Sequence, residues 1–226
     1  MLEWWHILLI VIGSVLLLFL LSIVLYRRFF KRFWDIVLSS LAIVVLSPLL
    51  IVLIIVGAIV MKGNPFFTQE RPGKREKVFI LIKFRSMNNK KDENGQLLPD
   101  EKRLGKYGKF LRVTSLDELP ELFNIFIGNM SVVGPRPLLV RYLNKYNEEQ
   151  RHRHDVRPGL TGYAQCHGRN SVSWKEKFEM DVWYTKHISL FGDISILFKT
   201  VFSVFKKEGI SSETSVTMEE FMGNDE

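Results

Sequence analysis

Cysteine is nearly absent from this chain of 226 residues, which contains Cys166 alone. No disulfide can therefore form within the chain, which fits a protein of a reducing compartment. No base partner for the thiol stands nearby in the sequence, so Cys166 is predicted to pack rather than to act as a nucleophile. Internal repeats are also absent.

Nucleic-acid-binding motifs are missing too, although the net charge is +7. The basic excess therefore favours other anionic partners, namely phospholipid headgroups, phosphorylated lipids and nucleotides. The histidines of the basic cluster at residues 151–154 show no metal-ligand spacing, so we assign them no role.

Charge is missing from residues 7–25, an apolar run that reaches the roughly 18-residue length of a spanning helix. A cleaved signal peptide is the alternative, but the preceding residues lack a basic region and no small-residue cleavage site follows. A retained transmembrane helix is therefore predicted. The positive-inside rule places in the cytoplasm the four basic residues that follow it, Arg27, Arg28, Lys31 and Arg32.

A second apolar run, residues 36–60, contains Ser47-Pro48 near its middle and has basic residues at both ends. Proline removes a backbone hydrogen bond and kinks a helix, and Ser47 could satisfy the carbonyl left free. Each arm would be roughly 18 Å long, shorter than the roughly 30 Å hydrocarbon core. The basic flanks favour a re-entrant helix that breaks at Ser47-Pro48, and only this keeps the downstream residues cytoplasmic. A proline-kinked spanning helix stays open as the alternative.

The remaining sequence is that of a basic, water-soluble domain. The β-branched run Val78–Phe84 predicts a strand, and Arg71-Pro72-Gly73 predicts a turn. Lys83 and Arg85 occupy alternate positions and share a face, which suits a phosphate, although a charged edge strand explains them equally well. Residues 88–106 predict a polar surface loop.

The sequence is organised around residues 112–137, which place two adjacent carboxylates, Asp117 and Glu118, at a predicted helix start. One interpretation is structural, because Ser115-x-x-Glu118 fits a capping box. The other is chemical, because a carboxylate at a helix N-terminus can attack phosphorus or hold Mg²⁺. In that case Arg112 and Arg136 would neutralise an anionic diphosphate.

The predicted helix starts near Asp117, since Pro120 suits a first turn, and ends at Gly128. Its apolar stripe would consist of Leu119, Leu122, Phe123 and Phe126. A second, highly charged helix is predicted for residues 138–153.

Residues 157–163 are rich in glycine, which permits a backbone to approach a ligand closely. Arg157 and Arg169 could hold phosphate there. Trp174–Lys186 is predicted to be helical and carries Asp181, an acid that we place near the site or its metal. Residues 188–207 have one apolar face, which suits either the membrane interface or the core.

Several of these stretches together resemble the bacterial sugar transferase family, the monotopic phosphoglycosyl transferases. The resemblance runs from about Lys31 to Phe205 and rests on the order of its pieces. These are K-R-F-W-D (31–35), Ser47-Pro48, F-x-Q-x-R-x-G (67–73), K-F-R-S-M (83–87), R-V-T-S-L-D-E-L-P-E-L-F-N (112–124), M-S-V-V-G-P-R-P (130–137), R-P-G-L-T-G (157–162) and Q-C-H-G-R-N (165–170).

The resemblance implies transfer of a phosphosugar from a UDP-sugar to polyprenyl (undecaprenyl) phosphate, with release of UMP and a requirement for Mg²⁺. It implies that Asp117 is the nucleophile of a covalent intermediate and that Glu118 serves Mg²⁺ and catalysis. It associates Pro135-Arg136-Pro137 with nucleotide binding, and it implies that the Ser-Pro break makes a re-entrant helix in one leaflet.

The expected chain is mostly α-helical with a small β element. We expect a transmembrane helix in residues 1–30, a re-entrant helix in 31–62, a cytoplasmic α/β catalytic domain with interfacial amphipathic helices in 63–207, and a flexible acidic tail in 208–226. The expected location is the bacterial inner membrane. Besides the two substrates, membrane lipids, downstream glycosyltransferases and a second copy of the chain are expected partners.

Two other functions fit the residues alone. The carboxylates could serve a Mg²⁺-dependent hydrolase of nucleotide sugars or lipid diphosphates, in which water is the acceptor. Alternatively, the chain could be a non-catalytic module that binds anionic lipid, with Asp117 and Glu118 only capping a helix.

Overall fold

A computed structural model describes residues 4–167, 172–205 and 220–224, and within these ranges the chain is mostly helical. The helices are α1 (Trp4–Val24), α2 (Lys31–Met61), α3 (Asp100–Arg103), α4 (Lys106–Val113), α5 (Glu121–Ile127), α6 (Glu148–Arg151), α7 (Tyr163–His167), α8 (Trp174–Lys186) and α9 (Leu190–Phe205). The strands are β1 (Phe66–Pro72), β2 (Val78–Phe84), β3 (Ser131–Val133) and β4 (Gly159–Thr161). The small β element expected from the sequence is thus two separate pairs of strands.

The two apolar runs form α1 and α2, which are joined by a wider helical turn at Tyr26–Phe30. Helix α1 contains no Asp, Glu, Lys or Arg, as expected of residues 7–25. Among the described residues, one helical stretch, Tyr26–Met61, is long and apolar enough to cross a membrane by length and composition.

Helix α2 passes through Pro48 without ending there. Pro48 has no N–H to give to the carbonyl of Val44, and the hydroxyl of Ser47 donates to that oxygen instead, at 2.8 Å. The replacement lets the helix continue to Met61, so the predicted break is not an end of the helix. It ends where Lys62 takes a left-handed conformation, with φ of 51°.

The two arms of α2, before and after Pro48, pack against the same downstream domain. The first arm presents Ala42, Ile43 and Leu46 to a cluster of Phe79, Leu81, Leu122, Ile125 and Met130. The second arm buries Leu50 and Leu53 against Phe84 and Leu111. The apolar core of the domain therefore includes one side of α2 along most of its length.

Polar contacts fix the start of α2 to the domain. The buried carboxylate of Asp35 accepts hydrogen bonds from Ser131 Oγ at 2.9 Å and from the Val132 N–H at 2.8 Å. The guanidinium of Arg32 donates to the carbonyls of Ile125 and Phe126, near the end of α5. These bonds satisfy helix-end carbonyls and strand groups that would otherwise lack partners.

A second buried cluster joins the turn between α1 and α2 to α8 and α9. Asp193 accepts hydrogen bonds from Tyr26 Oη and Tyr184 Oη, each at 2.7 Å, and pairs with Lys31 at 2.5 Å. Because Asp193 is 3% exposed, its charge depends on these partners. The last helices are thereby held against the first ones.

Strands β1 and β2 form an antiparallel hairpin in which Phe66 pairs with Phe84 and Pro72 with Val78. Strand β2 has the predicted bounds. The turn, however, lies at residues 73–77, and Arg71 and Pro72 belong to β1, so the predicted turn at Arg71-Pro72-Gly73 was placed too early. Pro72 is tolerated there because it occupies the last strand position.

The glycines of residues 157–163 allow the backbone of this stretch to contact the backbone near Gly134. Strand β4 pairs in parallel with β3, so the chain at Gly159 lies directly against Gly134. A Cβ atom added to Gly159 would lie 2.1 Å from Gly134 N, and one added to Gly162 would lie 2.1 Å from Gly134 O. The absence of side chains is therefore required by β3–β4 packing at these positions.

Two helix predictions need correction. Residues 138–153 do not form one helix: a 3₁₀ turn at Val140–Lys145 is followed by α6, which begins with a capping box between Asn147 and Gln150. In α5, Leu122 and Ile125 are the buried positions, whereas Phe123 and Phe126 are 41% and 49% exposed. The predicted stripe is confirmed for Leu119 and Leu122, which pack in the core, and is wrong for Phe123 and Phe126, which the domain and α2 do not cover.

Helix α9 carries exposed aromatic side chains on one face. On α9, which matches the predicted helix in 188–207, they are Phe191, Phe198 and Phe202, while Ile196 on the same helix is buried. Such a two-sided helix suits either alternative left open by the sequence, and α9 uses one face for the core.

Residues 220–224, expected to belong to a flexible tail, instead pack on the domain through Phe221, which is 3% exposed.

The backbone contact at Gly159 predicts a large effect of one methyl group. We expect Gly159→Ala to lower the stability by about 3 kcal/mol, because overpacking here forces two backbones apart. Gly13→Ala is the control, since nothing lies within 4 Å of its Cβ position. Thermal unfolding in detergent measures both, and equal melting temperatures for the two variants would contradict the packing of β3 on β4.

Candidate active site

A large cleft, with a volume of about 1730 Å³, runs across the domain between β1, β2, α8 and α9. It contains most of the site residues expected from the sequence, namely Lys83, Arg85, Arg112, Asp117, Glu118, Arg136 and Asp181. The volume exceeds the roughly 300–1,000 Å³ of ordinary ligand pockets, so the cleft can hold more than one substrate group.

The Asp117-Glu118 pair lies in a 3₁₀ turn, Leu116–Glu118, that precedes α5. Ser115 enters this turn in a left-handed conformation, with φ of 55°, and its side chain makes no capping hydrogen bond. The capping box that would have explained the pair structurally is therefore not formed. The turn instead directs both carboxylates to the cleft.

Glu118 is held by two cations from distant parts of the chain. Its Oε1 atom lies 2.7 Å from Lys83 Nζ and 2.6 Å from Arg136 Nη2. Burial alone would raise the pKa of Glu118, but the charges and hydrogen bonds of Arg136 and Lys83 lower it to about 2. The carboxylate is therefore ionised at neutral pH, and the same contacts hold the Arg136 guanidinium at the cleft.

Glu121, which the sequence analysis did not single out, is a third carboxylate of this network. It is 3% exposed, and its Oε1 atom lies 3.0 Å from Lys83 Nζ, so Lys83 bridges Glu121 and Glu118. Burial, reinforced by the nearby charge of Glu118, raises the pKa of Glu121 to about 7. Its signal in the sequence was its place one helical turn after Glu118, on the same side of the chain.

Asp117 differs from both neighbours because, within the described part of the chain, it forms no hydrogen bond or ion pair. Burial raises its pKa, and the charge of Glu118 raises it further, while Lys83, Arg136 and Arg112 act in the opposite direction. Two of these cations are already bound to Glu118. The Asp117 oxygens thus remain available to a reacting group in the cleft.

The arginines near Asp117 supply further positive charge. Arg112 Nε donates to Ser86 Oγ at 3.0 Å, which fixes one side of its guanidinium. Arg85 lines the cleft, and its guanidinium has no hydrogen-bond partner among the described residues. Of the two cations that share this face, Lys83 therefore binds the Glu118 carboxylate, and Arg85 is available to an anionic ligand.

Asp181 and Arg157, also predicted as site residues, bind partners other than Asp117 and Glu118. Asp181 is buried and binds Arg153, whose Nη2 atom lies 2.7 Å from its Oδ2. Arg157 does not line the cleft, and its Nε donates to the carbonyl of Gly128 at 2.7 Å. Arg169 lies outside the described residues.

Other cationic residues to which the sequence analysis assigned no role also line the cleft, among them Arg153 and Arg71. Arg153 links Asp181 to the turn that carries Arg136, because its Nη2 also donates to the carbonyl of Arg136 at 2.7 Å. Arg71 donates to Gln69 Oε1 and to the carbonyl of Pro137, and its buried Nε atom has no hydrogen-bond partner among the described residues. Burial and the nearby Arg136 lower the pKa of Arg71 to about 10. The only available signal for Arg71 was the F-x-Q-x-R-x-G pattern.

The oxygen atoms at this site fit a hard divalent cation. No group of three or more His, Cys, Asp or Glu side chains forms a metal cluster among the described residues. Asp117 nevertheless offers two unbound oxygens, and only Oε1 of Glu118 is used by Lys83 and Arg136. Mg²⁺ commonly binds one or two carboxylates and completes its shell with substrate phosphates and water, which this donor set allows.

Comparison with known proteins gives one family and several relatives. The family model described as "Bacterial sugar transferase" matches residues 26–207. The sugar transferase EpsL of Bacillus subtilis is 52% identical over 72% of this chain and 81% of the relative. The "undecaprenyl-phosphate galactose phosphotransferase" of Salmonella typhimurium is 37% identical over 79% of this chain and 41% of its own length. The "UDP-glucose:undecaprenyl-phosphate glucose-1-phosphate transferase" of Escherichia coli is 39% identical over 77% of this chain and 40% of its own length. The chain thus spans about two fifths of the last two relatives.

The raised pKa of Glu121 predicts a pH-dependent effect of its replacement. A carboxyl whose pKa is about 7 in the folded state, against an ordinary 4.5, stabilises the fold at low pH and loses that contribution as the pH rises through 7. Glu121→Gln should therefore gain melting temperature relative to the unmodified protein between pH 5 and pH 8. The exposed Glu149, which pairs with Lys186, gives the control Glu149→Gln. A difference that stays constant with pH would contradict the expected proton uptake at Glu121.

Proposed function

The chain belongs to the bacterial sugar transferase family, and on that basis we propose that it is a phosphoglycosyl transferase of the bacterial inner membrane. It moves a phosphosugar from a UDP-sugar to undecaprenyl phosphate and releases UMP. The reaction is the first membrane step of a surface polysaccharide or glycoconjugate. The observation that carries the proposal is the carboxylate of Asp117, which has no partner among the described residues and lies in a cationic cleft beside α2.

The proposed chemistry has two steps at one phosphorus atom. An oxygen of Asp117 attacks the sugar-bearing phosphorus of the donor, a P–O bond to Asp117 forms, and the bond to the departing UMP breaks. An oxygen of undecaprenyl phosphate then attacks the same phosphorus and displaces Asp117, which regenerates the carboxylate. Support comes from the absence of any protein partner for Asp117 within the described residues.

The neighbouring side chains perform distinct tasks in this scheme. Arg136 and Lys83 hold Glu118 and reduce the repulsion between the carboxylates and an anionic diphosphate. Arg112 and Arg85 add charge on the same wall of the cleft. Mg²⁺, held by Asp117 and Glu118 together with the phosphates, would neutralise charge on the diphosphate.

The two arms of α2 support a re-entrant placement in the cytoplasmic leaflet. A straight helix of its 31 residues would be roughly 46 Å long and would carry its second arm to the far side of the membrane. Both arms instead pack on one domain, through Leu46 in the first and Leu53 in the second. The exposed aromatic residues of α9 would then lie in the headgroup region.

The names of the relatives suggest the class of sugar that is transferred. The phosphotransferase relatives carry galactose, glucose and N-acetylgalactosamine in their names. We therefore propose a hexose or an N-acetylated hexosamine, transferred as its 1-phosphate, without choosing between these sugars.

The proposed nucleophile predicts a severe effect of a nearly isosteric replacement. Asp117→Asn should abolish UMP release, a loss on the order of 10⁴-fold or more, because the amide cannot form the phosphoryl bond. The protein should keep its melting temperature, since Asp117 has no hydrogen bond or ion pair within the described residues. Asp155→Asn, in an exposed pair with His152, is the matched control and should stay active. Turnover by Asp117→Asn near the normal rate would disprove the nucleophilic role.

The re-entrant placement predicts that both ends of α2 face the cytoplasm. In a Cys166→Ser background, Arg28→Cys and Lys62→Cys should both resist a membrane-impermeant maleimide added to intact cells and react after lysis. Trp4→Cys, at the outer end of α1, should react in intact cells. Labelling of Lys62→Cys from outside would contradict re-entry and favour the spanning alternative.

A further inference from the structure

Residues 220–224 dock beside the cleft and lie outside the region that the family model matches. Phe221 enters a pocket of four aromatic side chains, Tyr142, Tyr146, Trp174 and Phe178. Its ring centroid lies 5.0 Å from that of Phe178 and 5.6 Å from that of Trp174. Burial of a phenylalanine side chain is strongly favourable, so the segment has a substantial anchor.

Hydrogen bonds fix the backbone of the segment around this anchor. Phe221 N donates to Tyr142 Oη at 3.2 Å, and Lys145 Nζ donates to Phe221 O at 2.9 Å. Asn224 donates to the carbonyl of Lys145 at 3.0 Å and also bonds to Gln150. The position of the segment is therefore set by directional bonds as well as by an apolar side chain.

The anchored segment places Glu220 on the wall of the cleft. Its Oε1 atom lies 2.9 Å from Arg141 Nε, and both residues line the cleft. The side chains are 43% and 61% exposed, so this ion pair is weak and its members can bind a ligand at small cost. Trp174 extends the same wall with an aromatic surface, and Lys177 lies over its ring at 5.1 Å.

This wall continues from the turn that carries Arg136. Leu138, Leu139 and Arg141 line the cleft directly after that turn, whereas Asn64 and Phe66 line it directly after α2. An acceptor with a long hydrocarbon chain must enter from the membrane helix. The wall near Glu220 is therefore left for the water-soluble donor.

We propose that residues 220–224 form part of the UDP-sugar site, with Glu220 as a specificity-determining residue, an inference that rests on the proposed function. Phe221 holds the segment in place, and the carboxylate of Glu220 accepts hydrogen bonds from hydroxyl groups of the donor. Hydroxyl groups occur on both the hexose and the ribose of a UDP-sugar. A carboxylate beside an aromatic surface suits either of them.

Three variants test the proposal by their Michaelis constants. Phe221→Ala releases the segment, Glu220→Gln alters only the wall, and Met222→Ala is the control because Met222 is 75% exposed. Each is assayed with whichever of UDP-glucose, UDP-galactose and their N-acetylated forms the unmodified protein turns over. We expect KM for the donor to rise about tenfold in the first two variants, as loss of a charged hydrogen bond implies. The kcat and the KM for undecaprenyl phosphate should change little, and Met222→Ala should match the unmodified protein.

Direct binding separates the hexose from the ribose. Isothermal titration compares the Asp117→Asn variant with the double variant Asp117→Asn/Glu220→Gln. The double variant should bind the UDP-sugar more weakly. Equal weakening for UMP assigns the contact to the ribose, and unchanged UMP binding assigns it to the hexose. A donor KM and a donor affinity that are unchanged in Glu220→Gln would overturn the proposal, whatever Phe221→Ala shows.

The proposal and the proposed function fail in different ways. If the unmodified protein releases no UMP from any of these donors in the presence of undecaprenyl phosphate, the function itself is wrong. If it does, but Glu220→Gln keeps its donor KM, only the role of the segment is wrong. Glu220→Gln decides the matter even if Phe221→Ala fails to fold, because the glutamine leaves the aromatic anchor in place.

Discussion

The site depends on one carboxylate oxygen, Oε1 of Glu118, which binds Lys83 from β2 and Arg136 from the turn after β3. Three segments that are far apart in sequence meet at this atom. The side chains of Glu118 and Lys83 are largely buried and that of Arg136 is half exposed, so removal of either cation would leave the charge of Glu118 poorly compensated. Glu118 takes up the nearest cations and leaves its neighbour, Asp117, without a protein partner among the described residues. One carboxylate thus organises the site while the other remains available for chemistry.

Helix α2 and the turn that carries Arg136 form one structural unit. Asp35, on the first arm of α2, binds the backbone of β3, the strand that leads into the Arg136 turn. That turn is in direct backbone contact with β4 at Gly134, so its position is set from both sides. The site therefore has a fixed depth relative to α2. Such an arrangement suits an enzyme that brings a soluble donor to a phosphate at the membrane surface.

The sequence predicted local features well wherever a local cause determines them. Hydropathy predicted α1 and α2, β-branched residues predicted β2, and Ser47 was correctly expected to satisfy the carbonyl freed by Pro48. Features determined by distant partners were missed. The exposed face of α5 depends on where α2 packs, the role of Arg157 depends on the carbonyl of Gly128, and the docking of Phe221 depends on aromatic residues about 45 to 80 positions earlier. The site shows the same division. The sequence of residues 112–137 pointed to Asp117, Glu118 and Arg136, whereas the roles of Glu121 and Arg153 follow only from their contacts in the structure.

The most direct test of the account is the intact mass of the detergent-purified protein after incubation with a UDP-sugar and Mg²⁺, in the absence of undecaprenyl phosphate. The account predicts a mass increase of one phosphosugar, located by peptide analysis on Asp117, and release of an equal amount of UMP. The adduct should disappear when undecaprenyl phosphate is added. An adduct on a different residue, or UMP release that requires the acceptor and leaves no adduct, would contradict the role of Asp117 as the covalent nucleophile.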